Sequence, residues 1–146
     1  YYKKLFNIDI DDNRCKQICI NYLEGLEWTF KYYNKGCPDW TWYYKYHYPP
    51  LLEDLVKYIP TFNTSLIEDK VTYPIHEYTQ LSYVLPKNSL NLLPNFIQKV
   101  LSEKYSDLHN DNCKIIWHFC RYFWESHVDM PHIDINELNR IIKLQL

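Results

Sequence analysis

The chain has 146 residues, enough to bury a real hydrophobic core, and residues 1–146 are expected to form a single domain. Sixteen Lys and Arg against eighteen Asp and Glu leave a net charge of −2, which excludes a strong autonomous electrostatic grip on nucleic acid. No apolar run approaches the roughly 18 residues of a membrane span, and five cysteines, an odd number without a C-x-x-C pair, point to a reducing compartment, cytoplasm or nucleus, rather than to a disulfide framework.

Residues 12–34 carry Cys15, Ile18, Cys19, Tyr22, Leu23, Leu26, Phe30 and Tyr33 at helical spacing, which predicts a long amphipathic helix. Asp11 or Asp12 suits its start and Gly36 its end. Gly25 falls inside the pattern, where glycine costs ~1 kcal/mol relative to alanine, so a ring or backbone is expected to approach closely there. Residues 37–50 are punctuated by Pro38, Pro49 and Pro50 and predict an extended, irregular segment. Residues 51–59 predict a short helix with Leu52, Leu55, Val56 and Ile59 inward, and residues 60–72 an exposed loop. Short helices follow over 77–85, with Tyr78, Leu81 and Leu85 on one face, and over 95–105, with Phe96, Val100 and Leu101 as the stripe. A turn is expected at 110–112 and one or two strands over 115–123. Asp134 to Glu137 has capping-box spacing before a last helix carrying Leu138, Ile141, Ile142 and Leu144. The fold class is mainly α, with irregular aromatic-rich segments and a small strand pair.

Within the irregular segment, residues 40–48 read W-T-W-Y-Y-K-Y-H-Y. Tyr and Trp pair an apolar body with a polar tip that needs a partner when buried. Such a run is either a dense packing knot or a stacking surface for flat ligands, most often nucleobases. A second grouping, His127, Asp129, His132 and Asp134, has metal-ligand residue types, but Asp134 is better explained as a helix cap and Pro131 as a turn. Glu24, Glu27, Glu53 and Asp54 are scattered, whereas a two-metal nuclease needs clustered carboxylates. Glu24 and Glu27 are read as helix-surface or interdomain salt-bridge residues. No catalytic residue and no metal ligand is assigned.

The stretch from 21 to 55, with Y-L-E-G-L-E-W-T-F-K-Y-Y leading into W-T-W-Y-Y-K-Y-H-Y-P-P, resembles a signature of the XRN family of 5′→3′ exoribonucleases. Residues 74–89, P-I-H-E-Y-T-Q-L-S-Y-V-L-P-K-N-S, resemble a second family motif, continued by Leu92, Leu93 and Pro94. Residues 121–134, R-Y-F-W-E-S-H-V-D-M-P-H-I-D, resemble a third, and the three stand in family order. Where the family often has proline in the first motif, this chain has Lys45.

The resemblance implies a fragment of a larger α/β nuclease, its second conserved region, C-terminal to the catalytic acids. It implies processive hydrolysis of single-stranded RNA bearing a 5′ monophosphate by the whole protein, with Mg²⁺ held outside this chain. This segment would then wall the active-site pocket and pack on the N-terminal catalytic region. Its substrate-facing residues would be drawn from Trp40, Trp42, Tyr44, His47 and Tyr48, with one or two rings touching bases and the others supporting them; Trp42 is the favoured stacking ring. Two rival readings stand beside this one: a free-standing, non-catalytic module binding RNA or protein, and a small metalloenzyme built on residues 127–134.

Overall fold

The computed structural model describes residues 1–110 and 112–146. The chain divides into two compact units, Tyr1–Pro74 and Ile75–Leu146.

The first unit is built on one long helix. After a single turn, α1 (Tyr2–Leu5), comes α2 (Asp12–Lys35). The Asp11 carboxylate caps α2 by accepting the Arg14 N–H at 2.8 Å, and Gly36 closes it with φ 104° and ψ 179°, a conformation that only glycine adopts readily. Cys15, Ile18 and Cys19 are buried. Cys15 and Cys19 pack with Leu55 from α3 (Leu52–Leu55), and Tyr22, Leu23 and Tyr58 close in around them. Burial, and then the neighbouring Cys15, push the Cys19 thiol up to about 12, so it behaves as a small apolar side chain. All five cysteines are unbridged.

Two expectations need correction here. The apolar stripe of α2 does not stay buried, because Leu26, Phe30 and Tyr33 are exposed. From Asn21 onward the covered face of the helix rotates to Asn21, Gly25, Trp28 and Lys31, where the aromatic run and residues 65–69 lie against it. The predicted 51–59 helix is one α turn followed by a tighter 3-10 turn, Val56–Tyr58. So short an element buries Leu55 alone of the predicted inward set, leaving Leu52, Val56 and Ile59 exposed.

The predicted 60–72 loop is irregular, but it is tied down. Glu27 accepts the Leu66 N–H at 2.7 Å and the Ser65 hydroxyl at 2.8 Å, while Lys31 donates to the Ile67 carbonyl and to Asp69. Burial pushes the Glu27 carboxyl upward, but those donors and Lys31 outweigh it and leave it below its ordinary value. Glu27 and Lys31 thereby seal Ile67 into the unit. Glu24, by contrast, accepts the Asn21 amide.

The second unit holds α4 (Glu77–Val84), α5 (Asn95–Lys104) and α6 (Ile135–Lys143), with a two-stranded antiparallel ribbon between the last two. Its core is Leu93, Ile97, Val100, Leu101, Leu138 and Ile142. Asp134 caps α6 by accepting the Asn136 and Glu137 N–H groups, as the spacing predicts. On α4 the buried positions are Thr79 and Ser82, while Leu81 is exposed. The reason is close approach of α4 to α6: the Thr79 hydroxyl donates to Asn139 Oδ1 at 2.9 Å, and the Ser82 hydroxyl turns back to the Tyr78 carbonyl. Bulky side chains would hold the helices apart. Leu144, at the C-cap of α6, is exposed rather than inward.

The strand pair forms, with β1 (Lys114–Ile116) against β2 (His127–Asp129) and Ile115 opposite Val128. It is narrower than the sequence suggests: residues 117–126 are bends and a 3-10 turn, Phe123–Glu125, whose start is fixed by the Glu125 carboxylate accepting the Arg121 and Tyr122 N–H groups. Of the expected 110–112 turn, Asp111 lies outside the described residues; the Asn112 N–H donates to Asn110 Oδ1.

Candidate functional site

The run 40–48 is extended and bent rather than helical, and its burial alternates. Trp42, Tyr44, Tyr46 and Tyr48 are partly buried, while Tyr43, Lys45 and His47 face out, as does Trp40 ahead of them. Period-two alternation follows from extended backbone, in which successive side chains point to opposite sides. The run thus has an inner row of rings that holds it and an outer row that meets solvent.

Each inner ring has a seat. Trp42 lies at 6.1 Å and 23° to Trp28, which in turn stacks on Tyr32 at 5.2 Å and 7°. A Cβ placed on Gly25 would come within 2.8 Å of Trp42 Cη2, so the mid-helix glycine is what admits the indole. Tyr44 meets Tyr22 and Tyr46 edge-on and donates its hydroxyl to the Tyr48 carbonyl at 2.8 Å. Burial, then the nearby Tyr46, raise the Tyr44 phenol well above its ordinary value and keep it a neutral donor. Tyr46 and Tyr48 both reach Phe6 from the N-terminal turn.

Polar groups fix the backbone between the rings. The buried Asn21 accepts the Lys45 N–H at 2.9 Å. At the other end the Trp28 indole donates to the Asp39 carbonyl at 2.8 Å. The Asp39 carboxylate accepts the hydroxyl and N–H of Thr41, and those two bonds lead in holding its carboxyl below the ordinary range.

Of the five positions singled out from the sequence, Trp40 and His47 therefore stand on the outer side, and Trp42, Tyr44 and Tyr48 on the inner side. The run brings all five together on one segment but not on one surface. The 127–134 grouping is dispersed: Asp134 is spent on its cap, and among the described residues no three His, Cys, Asp or Glu side chains converge as a metal site. The better-buried acids are committed elsewhere, Glu27 and Asp39 as above and Asp54 to the Tyr2 hydroxyl and Lys57. These residues do not fit a divalent-cation site.

Residues 1–144 match the Xrn1 helical domain. The chain belongs to that family. It is similar to 5'-3' exoribonuclease 2 of Schizosaccharomyces pombe, 33% identical over 149 aligned positions covering 99% of this chain and 15% of that protein. It is also similar to 5'-3' exoribonuclease 1 of Saccharomyces cerevisiae, 34% identical over 110 positions covering 75% and 7%. A Gallus gallus 5'-3' exoribonuclease 2 is 29% identical over 147 positions, covering 98% and 15%. The chain thus spans 15% or less of the length of these relatives.

In this Xrn1 helical domain the residues that sequence reasoning missed are the ones that set backbone: Asn21, Asp39 and Thr72. Asn21 had a signal, since it is a polar residue at a helical position facing inward between Ile18 and Gly25. Thr72 had none, because its partner Trp40 is 32 residues away.

Proposed function

We propose that the chain is one segment of a 5′→3′ exoribonuclease that removes nucleotides successively from single-stranded RNA bearing a 5′ monophosphate. The segment walls the active-site pocket, packs on the N-terminal catalytic region and steadies the leading bases. The observation that carries this reading is the two-sided aromatic run: its inner rings are seated on α2, and its outer row offers Trp40, Tyr43, Lys45 and His47 to a ligand. Membership of the Xrn1 helical domain family and similarity to proteins named exoribonucleases support it.

Base–aromatic stacking contributes about 1–3 kcal/mol per base whatever the sequence, which suits an enzyme that must accept each base in turn. Holding the 5′ end in line is a positioning contribution, and bond-making chemistry is left to other parts of the polypeptide. Divalent metal, Mg²⁺, belongs with those other parts, in keeping with the commitment of the better-buried acids Glu27, Asp39 and Asp54 to structural partners. The setting is intracellular and reducing, cytoplasm or nucleus, in keeping with five unbridged cysteines of which two serve as apolar core.

The test is digestion of 5′-monophosphorylated RNA by the full-length natural protein. Trp42→Ala should slow degradation without changing its metal dependence. Unchanged turnover and processivity for both Trp42→Ala and Trp40→Ala would remove the run from the RNA path.

A further inference from the structure

The backbone around Trp40 is tied from two directions. Asp39, only 6% exposed, accepts the Thr41 hydroxyl at 2.6 Å, the Thr41 N–H at 2.8 Å and the Thr72 hydroxyl at 3.0 Å, with Lys70 Nζ at 3.9 Å. The Thr72 hydroxyl, having donated to Asp39, accepts the Trp40 N–H at 2.7 Å. One hydroxyl thus relays between the carboxylate and the Trp40 backbone, using both its donor and an acceptor site. The Lys70 N–H donates to the Pro38 carbonyl at 2.8 Å, and the Trp28 indole holds the Asp39 carbonyl. Every residue from 38 to 41 is therefore fixed to α2, to residues 70–72 or to Asp39 itself.

From this clamped stretch one large ring emerges: Trp40 is 50% exposed, while Trp42 is turned inward onto Trp28 and Gly25. A buried carboxylate is costly unless fully hydrogen-bonded, and this one spends its bonds on the two residues that flank or hold the exposed tryptophan. A ring whose backbone is already ordered loses only side-chain freedom when a base stacks on it.

We propose that Asp39, acting through Thr41 and Thr72, is a positioning residue for RNA, setting the backbone from which Trp40 presents its ring to the leading base. The proposal rests on the reading of the run as an RNA-contacting arm. The ligand class is any unpaired 5′-terminal nucleobase, because stacking needs a π-face and no particular hydrogen-bonding edge.

The experiment measures kcat and KM of the full-length natural protein on two 5′-monophosphorylated RNAs, one with an ordinary leading nucleotide and one whose leading nucleotide lacks its base. On ordinary RNA, Trp40→Ala and Asp39→Ala should each raise KM roughly tenfold and leave kcat within about twofold. On the abasic-ended RNA both effects should vanish. Asp39→Asn, which keeps an acceptor oxygen for Thr41 and Thr72, should restore most of the lost KM. An Asp39→Ala penalty of equal size on both RNAs would overturn the proposal, since a general folding defect does not read the leading base. So would a Trp40→Ala penalty with none from Asp39→Ala. If neither Trp40→Ala nor Trp42→Ala changes digestion of either RNA, the arm itself is not on the RNA path and the positioning role falls with it. Should Asp39→Ala lower the melting temperature too far to assay, Thr72→Val removes only the relay hydroxyl. It must give the same base-dependent KM rise, and its failure to do so counts against the proposal.

Discussion

Residues 40–48 and residues 115–124 are both dense in rings, six in nine positions and five in ten, yet they end in opposite states. In the first stretch alternate rings are seated, and the Tyr44 hydroxyl among them donates to the Tyr48 carbonyl. In the second, Trp117, Phe119, Tyr122, Phe123 and Trp124 are all exposed, even though Tyr122 and Trp124 stack at 4.5 Å and 8° and Arg121 lies over the Tyr122 ring. The difference is the partner. The 40–48 run has a 24-residue helix with a glycine gap, an inward Asn and a Trp to receive it. The 115–124 stretch has beside it two strands of three residues each, too small a sheet to seat its rings. Ring content says that a surface will matter, and the neighbouring backbone decides whether it becomes a fixed arm or an open patch.

That contrast can be broken at three strengths. The largest effect is expected away from both stretches: Leu138→Ala empties a fully buried position in the core of the second unit and should cost about 2–5 kcal/mol in chemical denaturation. An intermediate effect is expected from Gly25→Ala. Its methyl collides with Trp42, an overpacking cost of about 1–3 kcal/mol, offset by about 1 kcal/mol of helix propensity. The net loss is therefore small, but the Trp28–Trp42 stack must open, which a change in the indole exciton signal in circular dichroism would report. An unchanged signal would mean the arm is not seated by that glycine. The smallest effect is expected from Trp124→Ala, a change of about 1 kcal/mol or less, because the ring is 77% exposed and forfeits little beyond its stack on Tyr122. A loss approaching that of Leu138→Ala would make the hairpin rings core and erase the contrast.

Local signals carried well into the structure, and their failures share one cause. The start and end of α2, the Asp134 cap and the need for a close approach at Gly25 are all decided by a few neighbouring residues, and all were legible. Ile97 escaped the predicted α5 stripe, and Leu26, Phe30 and Tyr33 belong to an apolar face that this unit never covers. Periodicity reports that a face is apolar, but not which segment reaches it. Thr79 and Ser82 were passed over because small polar residues enter a core only where two helices come close, a fact about α6 rather than α4. In the candidate site the rings were visible from composition, whereas their division into inner and outer rows depends on extended backbone lying along a helix. The Asp39–Thr72 tie was hidden by sequence distance.

The same distance governs when the arm can form. The bond from the Trp40 N–H to Thr72 closes a loop with a sequence separation of 32 residues, so it must wait for ring closure whose entropic cost local helix formation does not bear. The long helix can therefore assemble early, with the tryptophan arm locking last. A protease nick within residues 60–64, ahead of the anchored Ser65–Asp69 stretch, would cut the covalent tether that brings Thr72 back. The helix would survive such a cut, and the latch that keeps Trp40 ready would then rest on the non-covalent anchors of residues 65–70 alone.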